Sequence, residues 1–166
     1  NESVEVNPLN LQWDIIAELE ASLILAYTGI SRDSASIIED QITNAVKNEN
    51  ENINNLHEMK EIAREMKIAL MGGKIKELGE LLNYSWRKKK KLSRLISNNR
   101  IDQLYELAIQ KGAFGGKISG AGGGGFFTLV ATPSKHKELF YELGEVGLTH
   151  HSIGLDSAGT IINEIK

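Results

Sequence analysis

Apolar positions along the chain follow first a helical spacing, then short continuous runs, and glycine or proline stands at most changes between them. Trp13, Ile16, Ala17 and Leu19 predict a short helix over 13–21, and the apolar run SLILAYT over 22–28 predicts a buried strand ending at Gly29. Val4 and Val6, ahead of Pro8, suggest a brief edge strand. The next helix is expected to bury Ile37, Ile38, Ile42, Ala45 and Val46; Asp33 or Ser34 could cap it, or Ser36 and Glu39 could start it one turn later with capping-box spacing. The polar run NENENINN over 48–55 reads as a turn. Leu56, Met59, Ala63, Met66 and Leu70 then alternate by three and four, a core stripe in which the methionines are packing residues, and Gly72-Gly73 stops it. A further helix is expected from about Lys74 to Ile96, burying Leu78, Leu82 and Trp86, and a shorter one through Ile101, Leu104, Tyr105, Ala108 and Ile109 to Gly112. FFTLVA over 126–131 reads as a buried strand, and Ser134 opens a helix with Leu139, Phe140, Leu143 and Val146 on one side and Gly147 at its end. Leu148 to Ile153 is expected to be a strand, 156–159 a turn containing Asp156, and 160–165 a last strand or tail.

The order strand, helices, strand, strand, helix, strand predicts an α+β fold: a ferredoxin-like sandwich with an antiparallel sheet and extra helices inserted after the first strand. The 166 residues suit one domain over 1–166, long enough to bury roughly 70% of the unfolded chain's surface. With 19 basic and 22 acidic residues the formal charge is −3. That balance gives no general attraction to nucleic acid or to an anionic membrane. No apolar run approaches the ~20 residues that span a bilayer. The absence of cysteine rules out a disulfide framework and fits a cytoplasmic protein. Composition leaves a homodimer open.

One stretch stands apart. GAFGGKISGAGGGG over 112–125 holds eight of the chain's 16 glycines. Fixing so many glycines costs backbone entropy, so the stretch is expected to need positive φ and close approach by another group. Successive N–H groups in such a turn can make a nest for an anion. On this reading a side chain at Gly122 would block a phosphate and leave the fold's stability nearly unchanged. The phosphate loop of nucleotide hydrolases does not fit, because Ile118 follows Lys117 and Lys111 stands where the first glycine is needed. The dinucleotide fingerprint is met in letters by Gly120, Gly122 and Gly125, but that fingerprint opens a helix, and here a strand follows.

Lys117-Ile118-Ser119-Gly120-Ala121-Gly122-Gly123-Gly124-Gly125 resembles the third motif, K-x-[ST]-G-A-G-G-G-G, of the small-molecule kinases grouped with galactokinase, homoserine kinase, mevalonate kinase and phosphomevalonate kinase. That motif lies in their C-terminal domain. A second stretch, Tyr27-Thr28-Gly29-Ile30-Ser31-Arg32-Asp33-Ser34, puts a tight turn, an arginine and a helix start after a strand. Helix N–H groups and a guanidinium could there hold an anion together; equally, Asp33 or Ser34 could be a cap and Arg32 a solvated residue. The stretch resembles the heptose phosphate kinases of the same group, in which this turn borders the active-site cleft.

Arg87-Lys88-Lys89-Lys90-Lys91 reads as a solvated face. Adjacent charges on a helix point around its circumference, and no aromatics interleave to stack bases. Resemblance of Trp86 to Ser93 to the heptose kinases keeps open one lysine facing the cleft. His150 and His151, adjacent on a strand, point to opposite faces, so no shared metal is expected.

The resemblance spans essentially the whole chain and is greatest to kinases of D-glycero-D-manno-heptose 7-phosphate. It implies transfer of a phosphoryl group from ATP with Mg²⁺ to a sugar hydroxyl, giving a 1,7-bisphosphate for surface-polysaccharide precursors. The family's main phosphate loop, P-x-G-L-G-S-S, and its acidic base belong to an N-terminal domain, and neither occurs in this sequence. The chain would therefore be half an enzyme, inactive alone, with no catalytic residue or metal ligand of its own and with its own N-terminal domain as partner. Lys117, Ser119, Gly120, Ala121, Gly122, Gly123 and Gly124 would then lie at the phosphate region, and Thr28, Gly29, Arg32, Asp33 and Ser34 at the sugar phosphate. The alternative is a non-catalytic ferredoxin-like ligand-binding or regulatory module.

Overall fold

A computed structural model of the chain describes residues 5–31, 33–47, 49–151 and 153–156. These form helices α1 (Trp13–Ser22), α2 (Ser34–Lys47), α3 (Glu49–Met71), α4 (Ile75–Lys90), α5 (Asn99–Gln110) and α6 (Pro133–Glu145) and strands β1 (Leu23–Tyr27), β2 (Ala113–Ile118), β3 (Phe126–Ala131) and β4 (Thr149–His151). All strand pairs are antiparallel, in the order β2-β3-β1-β4. Stripped of its additional helices this is the ferredoxin-like topology, and the insertion after the first strand is where the sequence places it.

The sheet's alternation decides what goes inside. Ile24 and Ala26 of β1 point to the same side as Ile118, Phe127 and Leu129, and pack with Trp86, Ile101, Leu104, Leu139 and Leu143 in the main core. Each fully buried side chain of this size contributes roughly 1.5–3 kcal/mol. Val130, of opposite parity, joins a smaller cluster with Ile75 and Leu82. Local signals set the helix ends. Asn98 caps α5 by accepting from the Ile101 N–H at 3.0 Å. Pro133 occupies the first turn of α6. Gly73 (φ 66°) ends α3, with Lys74 N–H bonding the Ala69 carbonyl and Gly73 N–H that of Leu70, a Schellman cap.

Several stretches depart from the pattern reading. The run over 48–55 is not a turn: α3 begins at Glu49 and continues through it. Asn52 and Asn55 are buried, and Asn52 Nδ2 donates to the Asn44 carbonyl at 2.7 Å, tying α3 to the end of α2. The inward stripe is thus Asn52, Asn55, Met59, Met66 and Ala69, while Leu56 and Ala63 face out. In α2 only Ile37 is buried; Ile38, Ile42 and Val46 are exposed. Helix α4 ends at Lys90 rather than near Ile96, and turns lead into α5. Val6 is exposed and outside any strand, and β4 is shorter than 148–153. The expectations for Val4 and for 157–165 lie outside the described residues.

Helix α4 crosses β2 at unusually short range because both sides carry glycine there. A Cβ on Gly115 would stand 1.9 Å from the Gly79 carbonyl oxygen, and one on Gly79 would stand 2.7 Å from Phe114 Cβ. Beside this contact Tyr105 Oη donates toward Asn83 Oδ1 (3.0 Å) and the Gly116 carbonyl (3.3 Å). Burial pushes the phenol up to about 12 from 10.0. The folded state favours the protonated phenol, so this contribution to stability is complete below pH 10 and is lost as pH rises from 10 to about 12. Tyr105→Phe should remove that part of the alkaline fall in stability, measured by urea unfolding across this range; an unchanged profile would refute the assignment.

Candidate functional site

Between β2 and β3 the glycine loop is clamped from two sides by backbone carbonyls. Gly123 N–H donates to the Ile96 carbonyl at 2.7 Å, on the turn that follows α4. Gly125 N–H donates to the Ile30 carbonyl at 2.7 Å, on the turn that follows β1. Thr28 returns the second contact twice over: its N–H (2.9 Å) and its Oγ1 (2.8 Å) both donate to the Gly125 carbonyl. At the base of the loop Ser119 N–H bonds the Phe126 carbonyl at 2.8 Å, and Ser119 Oγ pairs with Thr128 Oγ1 at 2.8 Å. Gly120, Gly122, Gly123, Gly124 and Gly125 all have positive φ.

The glycines are required for two different reasons. A Cβ on Gly122 would lie 2.8 Å from the Ile96 carbonyl oxygen, and one on Gly124 2.6 Å from that of Ile30. At these positions the close approach is made by the chain's own backbone, which corrects the expectation that a side chain at Gly122 would leave the fold's stability nearly unchanged. At Gly120 a Cβ would meet nothing within 4 Å. Among the described residues, the N–H groups of Gly120, Ala121, Gly122 and Gly124 make no hydrogen bond. They border a cleft of about 170 Å³ lined by Ser31, Ser34, Ser119, Gly120, Ala121, Gly122, Gly124 and Gly125.

Two stretches about 90 residues apart in sequence therefore meet at one cleft. Of the residues singled out for phosphate, Ser119, Gly120, Ala121, Gly122 and Gly124 line it; Gly123 is buried beneath, and Lys117 stands on β2 opposite Thr128. Of those singled out for the sugar side, only Ser34 among the described residues lines it. Thr28 is a buried strut, Gly29 (φ 75°) makes the turn, and Asp33 caps α2, its Oδ1 accepting from Ala35 N–H at 3.0 Å. Arg32 lies outside the described residues. Ser31 and Gly125 line the cleft unanticipated.

The basic run is only in part a solvated face: Arg87 and Lys91 are exposed, whereas Lys88, Lys89 and Lys90 are half-buried. Lys88 pairs with Glu58, and Lys90 pairs with Asp102 at 2.7 Å while lying 6.0 Å over the Trp86 ring. Lys89 reaches across to the glycine loop and donates to the Gly120 carbonyl. Burial, then repulsion from Lys117, holds its ammonium below the usual lysine range. This residue is the main one that sequence reasoning left unassigned; the only signal was the likeness of the 86–93 segment.

Unbonded N–H groups, serine hydroxyls and nearby ammonium groups suit phosphate oxygens. Among the described residues no group of three or more His, Cys, Asp or Glu is placed to hold a metal. His150 stacks on Phe140 (4.1 Å between ring centres), while His151 meets the edge of Phe126 at 5.6 Å, so the two imidazoles serve opposite faces.

Comparison with known proteins places this geometry. The family described as GHMP kinases C terminal matches residues 59–147. The chain belongs to the GHMP kinases. It is 37% identical over 143 residues to D-glycero-alpha-D-manno-heptose 7-phosphate kinase of Campylobacter jejuni, covering 86% of this chain and 42% of that protein. Among solved structures, a D-glycero-D-manno-heptose 1-phosphate kinase of Bacteroides thetaiotaomicron matches with TM-score 0.60 and 25% identity, over 91% of this chain and 38% of that one. Mevalonate kinase of L. major shares the fold, with TM-score 0.69 and 21% identity over 74% of this chain and 37% of that one. The chain thus spans less than half the length of each relative. What it contains is a GHMP kinase C-terminal domain with its glycine loop set against the turn after β1. No helix among the described residues is long and apolar enough to cross a membrane.

Proposed function

We propose that this GHMP domain is the C-terminal half of an ATP-dependent kinase that phosphorylates D-glycero-D-manno-heptose 7-phosphate to the 1,7-bisphosphate, working in the cytoplasm. The observation that carries the reading is the meeting of the glycine loop and the turn after β1 at one cleft lined with N–H groups and serine hydroxyls. The turn carries the likeness to heptose phosphate kinases and the glycine loop that to the wider kinase group, and the identity to the Campylobacter jejuni protein supports the reading. The nucleotide-binding half, with its acidic base, belongs to an N-terminal domain outside this sequence. ATP with Mg²⁺ would supply the phosphoryl group and much of the charge neutralisation.

This chain's residues would then position rather than react, as phosphoryl transfer demands. Gly120, Ala121, Gly122 and Gly124 would offer N–H groups to phosphate oxygens, and Ser119 and Ser34 would offer hydroxyls. Gly123, with Thr28 and Gly29, would hold the two walls in register. Lys117 and Arg32 are assigned phosphate contacts from their sequence positions, Arg32 to the sugar's own phosphate. Asp33 would keep the helix start beside it. The test is a substrate screen on the intact protein with ATP, Mg²⁺ and heptose 7-phosphate, fucose, galactose or mevalonate. The reading predicts a kcat/KM for heptose 7-phosphate at least about 100-fold above the others, equivalent to about 2.7 kcal/mol. Equal or greater activity on an unphosphorylated acceptor would reject it.

A further inference from the structure

We infer that Lys89, whose ammonium touches the cleft-lining Gly120, and Lys117 on the adjoining strand β2 form a two-cation clamp beside the glycine-loop cleft, with Lys89 as a phosphate ligand that exchanges the Gly120 carbonyl for an anion. The inference rests on the proposed function above for the source of the phosphate, and on the side-chain arrangement for everything else. Lysines flanking Lys89 are neutralised: Lys88 by Glu58 and Lys90 by Asp102. Lys89 and Lys117 have no carboxylate partner among the described residues. Lys89 instead leans from α4 onto the loop, where its ammonium meets the carbonyl of Gly120, the glycine whose surroundings are open.

A half-buried ammonium held near a second one is electrostatically unfavourable, and burial with the Lys117 charge lowers the Lys89 pKa. A dianion between them would relieve both effects. It would also reach the N–H groups of Gly120, Ala121 and Gly122 on the same rim, which make no hydrogen bond among the described residues. Lysine suits this role better than arginine, because a compact point charge on a flexible stem can leave one acceptor for another. The ligand chemistry is a phosphate monoester or the end of a polyphosphate, carried either by the sugar or by the nucleotide. Lys89 thereby becomes a substrate-binding residue drawn from a charge run that otherwise looks like surface.

The experiment uses the intact protein, with Lys89→Gln, Lys89→Arg and Lys117→Gln. Calorimetric titrations use tripolyphosphate and heptose 7-phosphate as probes, and Lys89 side-chain NMR follows the ammonium in the wild type. Loss of a charge-assisted contact predicts that Lys89→Gln weakens at least one probe by roughly 10- to 150-fold, with partial recovery in Lys89→Arg. Weakening of tripolyphosphate alone assigns the clamp to the nucleotide, and weakening of heptose 7-phosphate alone assigns it to the sugar. The Lys89 titration midpoint should rise when the affected probe is saturating. If both affinities stay within about threefold of wild type, or the midpoint does not move with either probe, the clamp is refuted. The NMR reading holds even if a variant fails to fold. Normal heptose phosphorylation by Lys89→Gln with unaltered Michaelis constants would sink this inference alone; Lys89-dependent anion binding without heptose phosphorylation would sink the proposed function alone.

Discussion

Gly115→Ala should be the most damaging small substitution in the sheet. Its Cβ would stand 1.9 Å from the Gly79 carbonyl oxygen and 2.9 Å from Asn83 Cβ. The first of these atoms is helix backbone and has no rotamer to change, so α4 must retreat from β2 by well over an ångström. That retreat loosens the packing of Leu82, Trp86 and Tyr105, which lie on or beside α4. Overpacking of this kind costs about 3 kcal/mol or more, which in a chain of this length lowers the melting temperature by roughly 6–12 °C. Gly144→Ala is the control: it sits in α6 with nothing within 4 Å of a new Cβ and negative φ. Replacing a helical glycine there should stabilise by about 0.5–1 kcal/mol. Thermal unfolding of both variants checks the pair, and equal melting temperatures would mean that α4 does not lie on β2 as described.

In the glycine loop the expected effects divide by position. Gly122→Ala combines a positive φ of 111° with a clash against the Ile96 carbonyl, and so pushes the loop off the turn that holds it. A displacement of about 1 Å in a positioning element can reduce turnover by about 100-fold, and the melting temperature should fall as well. Gly120→Ala brings only the strain of a left-handed residue, about 1–2 kcal/mol, with no clash. Its melting temperature should move by only a few degrees. Activity of the intact enzyme should nevertheless drop by about tenfold or more, because the new methyl group occupies the cleft. Full activity in Gly120→Ala would remove the loop's rim from the phosphate region.

Much of this arrangement is legible in the sequence, and the failures have a common physical origin. The strand–glycine loop–strand order, the core stripes of α4 and α5 and the ends at Gly73, Gly112 and Gly147 follow from local spacing and backbone permission. The start of α3 does not, because Asn52 and Asn55 are poor helix formers that tertiary contacts make inward-facing. The outward stripe of α2 misleads in the opposite sense: Ile38, Ile42 and Val46 have core periodicity and face away from the sheet. Within the site, the motif identifies the loop but not what lies against it. The carbonyls of Ile30 and Ile96 are brought to Gly124 and Gly122 by long-range folding, so the reason for glycine at those two positions is invisible in the chain. Lys89 is hidden likewise, since five adjacent charges give no indication of which one the helix turns toward the loop.

The central claim is that this domain supplies one wall of a kinase cleft whose reacting groups lie in the other half. Purified chain and intact protein, each incubated with ATP, Mg²⁺ and heptose 7-phosphate, test it most directly, with ³¹P NMR following the sugar bisphosphate. The account predicts product from the intact protein at about 1–100 per second and none above background from the 166-residue chain. Turnover in that range by the chain alone, or none by the intact protein, would contradict it.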